Sequence, residues 1–517
     1  MCVICLRSAC SLGIGAPLET PDDTDIGTEI GAGIDTLPGL GPAPAPTSAN
    51  SLSAEAALPP GAADWQALDM GSSWHDYGLP LGGTLTYTVT DSVQDYTSGY
   101  YSGANELGGY RPLSEAGAAI VAEAFEMWDA VIAIEMVDPA DTPDPADDAL
   151  RPVLQAGGST APATAWAYGP GWWEVSGDAW FNVTESFLSR LEDGPRPYRS
   201  TYEGATALHE VGHALGLKHP HEGLAVLDPA YDGLEYTVMS YRSHAGAPLT
   251  AYTVQEGSYP QSLMMLDIAM AQAHYGADHA TLSGDTVYTF DTATGEMFVD
   301  GAGAGAPVGN KVLRTLWDGD GTDLIDLSNY ATDLDIDLRP GHGIDLDVGG
   351  FAQRALLDWR NDIYAPHHVY MSLLHAGDTR SLIENATGGS GDDRLAGNAA
   401  GNLLAGGAGD DVVTGALGAD TFVLGAGADM LHDTLAGLDG DRVDDFDAGA
   451  DRLVVAGVTF GAGALVYDAA TGWLAIDADG NGQVEARIDI GAGLGAVAAQ
   501  GQGGDTVITF AAAPSPP

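Results

Sequence analysis

From Gly388 the chain repeats itself every nine residues: GGSGDDRLA begins at Gly388, GNAAGNLLA at Gly397, GGAGDDVVT at Gly406 and GALGADTFV at Gly415. The first position is always glycine. The sixth is Asp393, Asn402, Asp411 or Asp420, and the eighth is Leu395, Leu404, Val413 or Phe422. No other feature restricts the possible fold so tightly. Six glycine-rich residues must turn, and the three that follow make a short strand with one apolar side chain pointing inward. Two units complete one coil, so each turn stacks on the turn two units away, as in a parallel β-roll. The turn carbonyls and carboxylates are hard oxygen ligands suited to Ca²⁺ at ~2.3–2.6 Å. Gly389, Gly391 and Asp393 should share calcium with Gly407, Gly409 and Asp411, and Asn402 with Gly418 and Asp420. The second file is chemically poorer. Asn402 replaces aspartate, Asn398 and Ala416 replace glycine at position two, and Ala400 replaces it at position four, so calcium there should be weak or missing. A plain glycine-rich linker would lack the fixed apolar eighth residue.

Upstream, residues 209 to 219 read HEVGHALGLKH. At 100° per residue His209 and His213 lie about 40° apart on one helical face, with Glu210 beside them. Two imidazoles one turn apart reach a single zinc ion at ~2.0–2.1 Å, which leaves the glutamate next to the position of an attacking water. Leu208, Val211 and Leu215 point the other way, which gives the helix a separate core face. Ser200 and Glu203 have capping-box spacing for its start. Gly216 allows an exit with φ > 0, so that His219 supplies a third nitrogen.

Composition excludes several functions. Lys plus Arg total 18 against 73 Asp plus Glu, for a net charge of −55. Such a chain repels nucleic acid and anionic membranes. Clustered acids in glycine-rich turns point to calcium, and an evenly acidic surface also fits a saline habitat. The cysteines, Cys2, Cys5 and Cys10, match no standard zinc spacing, and none follows them, so no disulfide braces the body. No apolar run is long enough to span a membrane, and CSLGIGAPL is weak as a secretory signal.

The chain divides into three parts. Residues 1–75 are rich in Pro, Gly, Ala and Thr and are expected to be disordered. Residues 76–280 mix strands (TLTYTVTDS, AWAYG, GDAWFNV) with helices over 113–132, 201–216 and 261–274; the first carries an apolar stripe from Ile120 through Phe125 to Val131. Residues 281–517 lose helical periodicity and form the all-β calcium-binding part. DADGNG at 477–482 resembles an EF-hand start, but Ile488 stands where the closing glutamate belongs, so it is read as a surface turn.

The histidine motif resembles that of the metzincin zinc endopeptidases, and several further segments resemble their serralysin branch. YTVMSYRS supplies Met239 for the methionine turn under the metal and Tyr241 two residues on. GDAWFN resembles the family's edge strand, and SYPQSLMMLDIAMAQAHYG its closing helix. The likeness implies an α+β metzincin catalytic domain, a twisted sheet plus long helices, followed by the β-roll. It implies that Tyr241 ligates the resting zinc and then swings to the reacting carbonyl. His221 breaks the family spacing and is a spectator. WDGDGTD (Asp318, Asp320, Gly321, Asp323), LIEN (Glu384) and SGDT (Gly284, Thr286) resemble calcium loops joining the two domains. It also implies a removable pro-segment and a monomer secreted through a type I (ABC) exporter that reads the C-terminus. There DTVITF fits the export pattern and the following AAAPSPP departs from it.

The expectation is a secreted peptide-bond hydrolase with one catalytic Zn²⁺, several structural Ca²⁺ and Glu210 as general base, acting on proteins or peptides. The alternative is a calcium-dependent surface or adhesion protein with a non-catalytic zinc site. A structural zinc would be closed by a fourth Cys or His, and none lies nearby in sequence.

Overall fold

The computed structural model describes residues 65–93, 96, 106–138, 153–160, 164–183 and 199–511. The three cysteines and the final segment from residue 512 lie outside the described residues. The first half is built on a six-stranded sheet. Its strands are β1 (Thr84–Val89), β2 (Tyr110–Arg111), β3 (Glu135–Val137), β4 (Val153–Ser159), β5 (Ala165–Ala167) and β6 (Ala179–Asn182). The order is β3-β1-β4-β6-β5, with β2 paired antiparallel to β4 off that path. β1, β3, β4 and β6 run parallel, and β5 runs antiparallel to β6. GDAWFN is therefore not the edge. β6 is paired on both sides, and the rim belongs to β5.

Helix α1 (Glu115–Asp129) starts at Ser114, whose hydroxyl accepts the Gly117 N–H at 3.1 Å. Its stripe of Ile120, Val121, Ala124, Phe125 and Trp128 is buried, as the periodicity predicts, and Phe125 stacks on Tyr87 of β1 at 4.3 Å between ring centres. Helix α2 (Tyr202–Ala214) carries the histidine motif and packs beside α1, where the Trp128 indole N–H donates to the Leu208 carbonyl at 3.0 Å. The predicted cap is displaced by one residue. Thr201, not Ser200, is the N-cap and accepts the Gly204 N–H at 3.2 Å. Ser200 takes φ 68° and accepts the Val308 N–H from the C-terminal half at 2.9 Å. Gly216 ends the helix region at φ 101°, and a Cβ there would sit 2.4 Å from the Ser72 carbonyl oxygen. Helix α3 (Met265–Tyr275) closes this half.

That approach to Ser72 corrects the expectation of disorder as far as residue 75. Ala67, Leu68 and Trp74 are buried in the same core as α2. Met70 N–H donates to Gly216 O at 3.0 Å, and Lys218 N–H to Leu68 O at 2.7 Å. The segment has buried aromatic anchors but no period, so composition alone cannot distinguish it from the tail before it.

The second half coils. Arg394–Ala396, Val412–Thr414, Met430–Asp433 and Arg452–Val455 run parallel in one sheet. Asn385–Thr387, Leu403–Ala408, Thr421–Ala426 and Arg442–Val443 run parallel in the other. Leu395 pairs with Val413 and Leu404 with Phe422, and all four eighth-position side chains lie in one core. The coil continues past the four regular repeats through Leu431, Val443 and Leu453. DTVITF becomes an antiparallel strand, Asp505–Phe510, against Arg452–Val455. The halves share a core: Leu313, Trp317, Leu357 and Tyr370 pack with the residues of α1 to α3. The Asp318–Asp323 loop does touch the first half, with the His279 Nδ1–H donating to Gly319 O at 2.7 Å. A second contact went unforeseen, in which Gln255 N–H donates to Leu356 O at 2.9 Å and Trp359 N–H to Thr253 O at 3.0 Å.

Candidate active site and metal centre

On α2 the spacing of the motif puts His209 and His213 on one face, and the turn at Gly216 brings His219 back over them. The Nε2 of His219 lies 3.1 Å from the Nε2 of His209 and 3.1 Å from that of His213. Tetrahedral ligands at ~2.0–2.1 Å from zinc would stand roughly 3.3 Å apart, so the three nitrogens fit that ion. The opposite ring nitrogens face outward. His209 Nδ1–H donates to Val238 O at 2.8 Å and His213 Nδ1–H to Leu217 O at 2.7 Å, while the Glu222 carboxylate lies 3.2 Å from His219 Nδ1. The two hydrogen bonds fix the tautomer that leaves the Nε2 lone pairs of His209 and His213 available to a metal. Burial pushes the His209 imidazole down to about 4, and His213 and His219 also well below their usual value. All three are therefore neutral near pH 7, the form a metal needs.

Glu210 is buried beside them, with 1% of its surface exposed. Tyr241 lies over the cluster, its ring 4.1 Å from that of His219 and stacked 5.6 Å from that of His209. Met239 is fully buried under α2, so close that a Cβ on Gly212 would stand 2.7 Å from its sulfur. The turn carrying Met239 is held by Asp267 of α3, which accepts the Thr237 hydroxyl at 2.5 Å and the Val238 N–H at 2.8 Å. His221 stays aside, 3.8 Å from Asp232, with its ring 5.4 Å from that of His219.

A pocket of about 650 Å³, open to solvent, begins at His209, Glu210 and Tyr241. Its inner wall includes Tyr202, Tyr252 and Tyr259, whose rings meet edge-on at 5.7–6.0 Å. The sequence reading missed this pocket. Its three tyrosines come from α2 and from two positions of the loop after Tyr241, and no spacing connects them.

Comparison with known proteins follows the same division. The Matrixin family matches residues 113–242, the Peptidase M10 serralysin C-terminal family 277–356, and the RTX calcium-binding nonapeptide repeat stretches between 383 and 431. "Metallopeptidase AprA" of Pseudomonas marginalis is 31% identical over 421 residues, which covers 79% of this chain and 80% of that protein. The chain belongs to the serralysin-type metallopeptidases. "Serralysin C" of Dickeya chrysanthemi is 34% identical over 45% of the chain and 42% of its own length, and "Serralysin" of Proteus mirabilis 32% over 48% and 44%. Membership makes this a metalloendopeptidase with a catalytic zinc and with calcium in its repeats. Among the described residues no helix is long and apolar enough to cross a membrane.

In this serralysin relative the repeat turns form two files of sixth-position side chains. In one, Asp393 accepts the Leu334 N–H and Asp411 the Asp393 N–H, each at 2.8 Å; Asp429 accepts the Asp411 N–H at 2.9 Å, and Asp451 the Asp429 N–H at 3.1 Å. In the other, Thr286, Asp323 and Asn402 donate their N–H to Asp323, Glu384 and Asp420 in turn, and Asp420 donates to Asp441, all at 2.8 Å. The second carboxylate oxygens of Asp323, Asp411, Asp420, Asp429 and Asp441 are buried and accept nothing from the protein. Oxygens placed in that way suit a hard cation. Burial raises these carboxyls, Asp411 and Asp441 to about 7 and Asp393, Asp420 and Asp429 to about 6. Gly389 and Gly391 carry glycines two units on because the turns nearly touch. A Cβ on Gly407 or Gly409 would lie 2.1 or 2.0 Å from their carbonyl oxygens, and one on Gly418 would lie 2.2 Å from Ala400 O.

The joining loops have the same construction. Tyr288 donates its hydroxyl to Asp318 at 2.6 Å, Asp320 N–H donates to Asp318 at 3.2 Å, and the Thr286 hydroxyl donates to Gly284 O at 2.9 Å. Gly321 takes φ 147° in that loop. One level differs. Asn402 Nδ2–H donates to Glu384 O at 2.7 Å, and Asn398 Nδ2–H to Ile383 O at 2.8 Å and Leu338 O at 3.2 Å. Amide protons here meet carbonyls of the kind that elsewhere would face a cation. Asp429, Asp441 and Asp451 were not anticipated as members of the files. In the DADGNG turn, read as a bare surface turn, the carboxylates of Asp477, Asp479 and Glu485 come within 4.8 Å of one another.

Proposed function

We propose that this chain is a secreted zinc endopeptidase that cleaves protein substrates, with catalysis at His209, His213, His219, Glu210 and Tyr241. The observation that carries the reading is the convergence of three neutral imidazoles on one point beside Glu210, at the mouth of a tyrosine-walled pocket. His209, His213 and His219 hold the ion. Zinc, when bound, polarises the scissile carbonyl and makes the attacking water more acidic. Glu210 takes the water's proton and returns it to the leaving amine. Tyr241 would be a further ligand of the ion at rest, and its hydroxyl would stabilise the negative charge that develops on the carbonyl oxygen. The tyrosine-lined pocket receives the substrate side chain next to the cleaved bond. Gly284, Thr286, Asp318, Asp320, Gly321, Asp323, Glu384 and the sixth-position aspartates hold calcium that stiffens the second domain, which begins near residue 281. Export runs through a type I exporter, and a pro-segment ending before Trp65 is removed on activation.

The test is casein hydrolysis in calcium buffer by the parent chain and by Glu210→Ala, with zinc content and circular dichroism measured on both. The variant should keep its zinc and its fold and lose about 10²–10⁴-fold in turnover. A folded, zinc-loaded variant with near-parent turnover rules out Glu210 as the base. Parent activity that survives complete zinc removal by a chelator rules out the metal mechanism.

A further inference from the structure

Between the two halves lies a second opening of about 900 Å³, continuous with solvent, which shares no residue with the pocket at Glu210. Met127 of α1 and Ile268 of α3 line one side, and Met297, Leu316 and Trp317 of the strand-rich half line the other. Set into this apolar wall is Arg314, only 6% exposed. Its guanidinium Nε is buried without a hydrogen-bond partner, and among the described residues Arg314 forms no ion pair. That is unexpected in a chain with 73 acidic residues and 18 basic ones. Other polar groups on the wall are engaged. Tyr288 gives its hydroxyl to Asp318 at 2.6 Å, Ser262 gives its hydroxyl to Leu263 O at 2.8 Å, and Arg199 pairs with Glu123. Burial and then the like charge of Arg199 pull the Arg314 guanidinium down to about 9, against a smaller opposing effect of Tyr288.

An ionised guanidinium in an apolar wall is unfavourable until an anion meets it. Its planar fork matches the two oxygens of a carboxylate. An opening with apolar walls and one convergent polar group has the make-up of a small-molecule site. We propose that the opening binds an amphiphilic monocarboxylate, with the carboxylate on Arg314 and an apolar chain laid along Met127, Ile268, Met297 and Leu316. Bound there, the ligand would touch both halves and hold them together. A free fatty acid and the C-terminal carboxylate of an apolar peptide share this chemistry.

Calorimetric titration of the full calcium- and zinc-loaded chain tests the proposal. Decanoate, below its micellar concentration, should bind at one saturable site and raise the melting temperature. Decanol and acetate, each lacking one half of the chemistry, should bind at least about 10-fold more weakly. N-acetyl-leucyl-leucine, titrated in parallel, identifies the peptide source if it binds more tightly than decanoate and the fatty-acid source if it binds less tightly. Arg314→Met should weaken decanoate by about 10-fold or more and should not lower the ligand-free melting temperature, since it removes an unmet buried charge. Met297→Trp keeps Arg314 but fills the opening, and should also abolish binding; it decides the matter if Arg314→Met does not fold. Failure of decanoate to bind, equal affinity for decanol, or undiminished binding by either variant would overturn the proposal.

Discussion

Tyr241 lies with its ring against those of His209 and His219 but is not one of the three converging nitrogens. Removing its hydroxyl should therefore leave the metal in place and weaken only the stabilisation of developing charge. Tyr241→Phe is predicted to keep its zinc and lose about 10²-fold in turnover, less than Glu210→Ala. Metal analysis beside casein kinetics checks this; loss of zinc, or unchanged turnover, would remove Tyr241 from the reaction. At this scale the sequence is informative where chemistry is contiguous. One helical turn and one glycine exit bring His209, Glu210, His213 and His219 together. The supports are another matter. Val238 receives the His209 Nδ1–H across 29 residues, and Asp267 holds Val238 across another 29. Neither a carbonyl nor a lone aspartate at the start of a helix leaves a pattern that a single chain can display.

Among the elements, the two files of stacked turns should respond differently to calcium. Where Asn402 and Asn398 donate amide protons to the carbonyls of Glu384, Ile383 and Leu338, the turns are joined by protein hydrogen bonds. Asn402→Asp would replace the donor to Glu384 O with a carboxylate between Glu384 and Asp420. The variant is predicted to lose β structure in calcium-poor buffer and to recover it only at a higher Ca²⁺ midpoint than the parent chain. Circular dichroism of the full chain, titrated with Ca²⁺, measures the shift. An unchanged or lower midpoint would mean that the asparagines are not what replaces the ion at that level. The regular repeats were legible because a fixed period brings glycine, carboxylate and apolar residue into line. The later coils escaped notice because the period breaks. Asp420 is met by Asp441 after 21 residues and Asp429 by Asp451 after 22, where the earlier steps take 18. The lengthened turns send Leu438 and Phe446 into the same core while the inward Leu431, Val443 and Leu453 keep their places. Register in space survived a loss of register in sequence.

For the molecule as a whole, calcium and protons compete for the same carboxylates. Burial raises Asp411 and Asp441 to about 7 and Asp393, Asp420 and Asp429 to about 6, against about 4 in the unfolded chain. A carboxyl with a raised folded pKa favours folding when protonated. In the calcium-free chain that contribution is complete below about pH 4 and disappears as pH rises through 6–7. In EGTA the β signal should therefore be stronger at pH 5 than at pH 8, and the Ca²⁺ midpoint should fall as pH rises over the same range. A pH-independent midpoint would contradict this linkage. The files also have a polarity. Each buried sixth-position N–H is capped by a carboxylate from the coil that follows it, whereas the exposed carboxylates of Asp392 and Asp410 cap the N–H of Asp410 and Ala428 in the coil after their own. The buried cap of a coil thus comes from its successor, so order should travel from the C-terminal coils back toward the catalytic half. Asp451→Ala is predicted to delay the calcium-triggered appearance of the entire β signal in stopped-flow, whereas Asp393→Ala should slow only its final portion. The last coil made by the ribosome would then be the first to set, and the coils nearest the catalytic half the last.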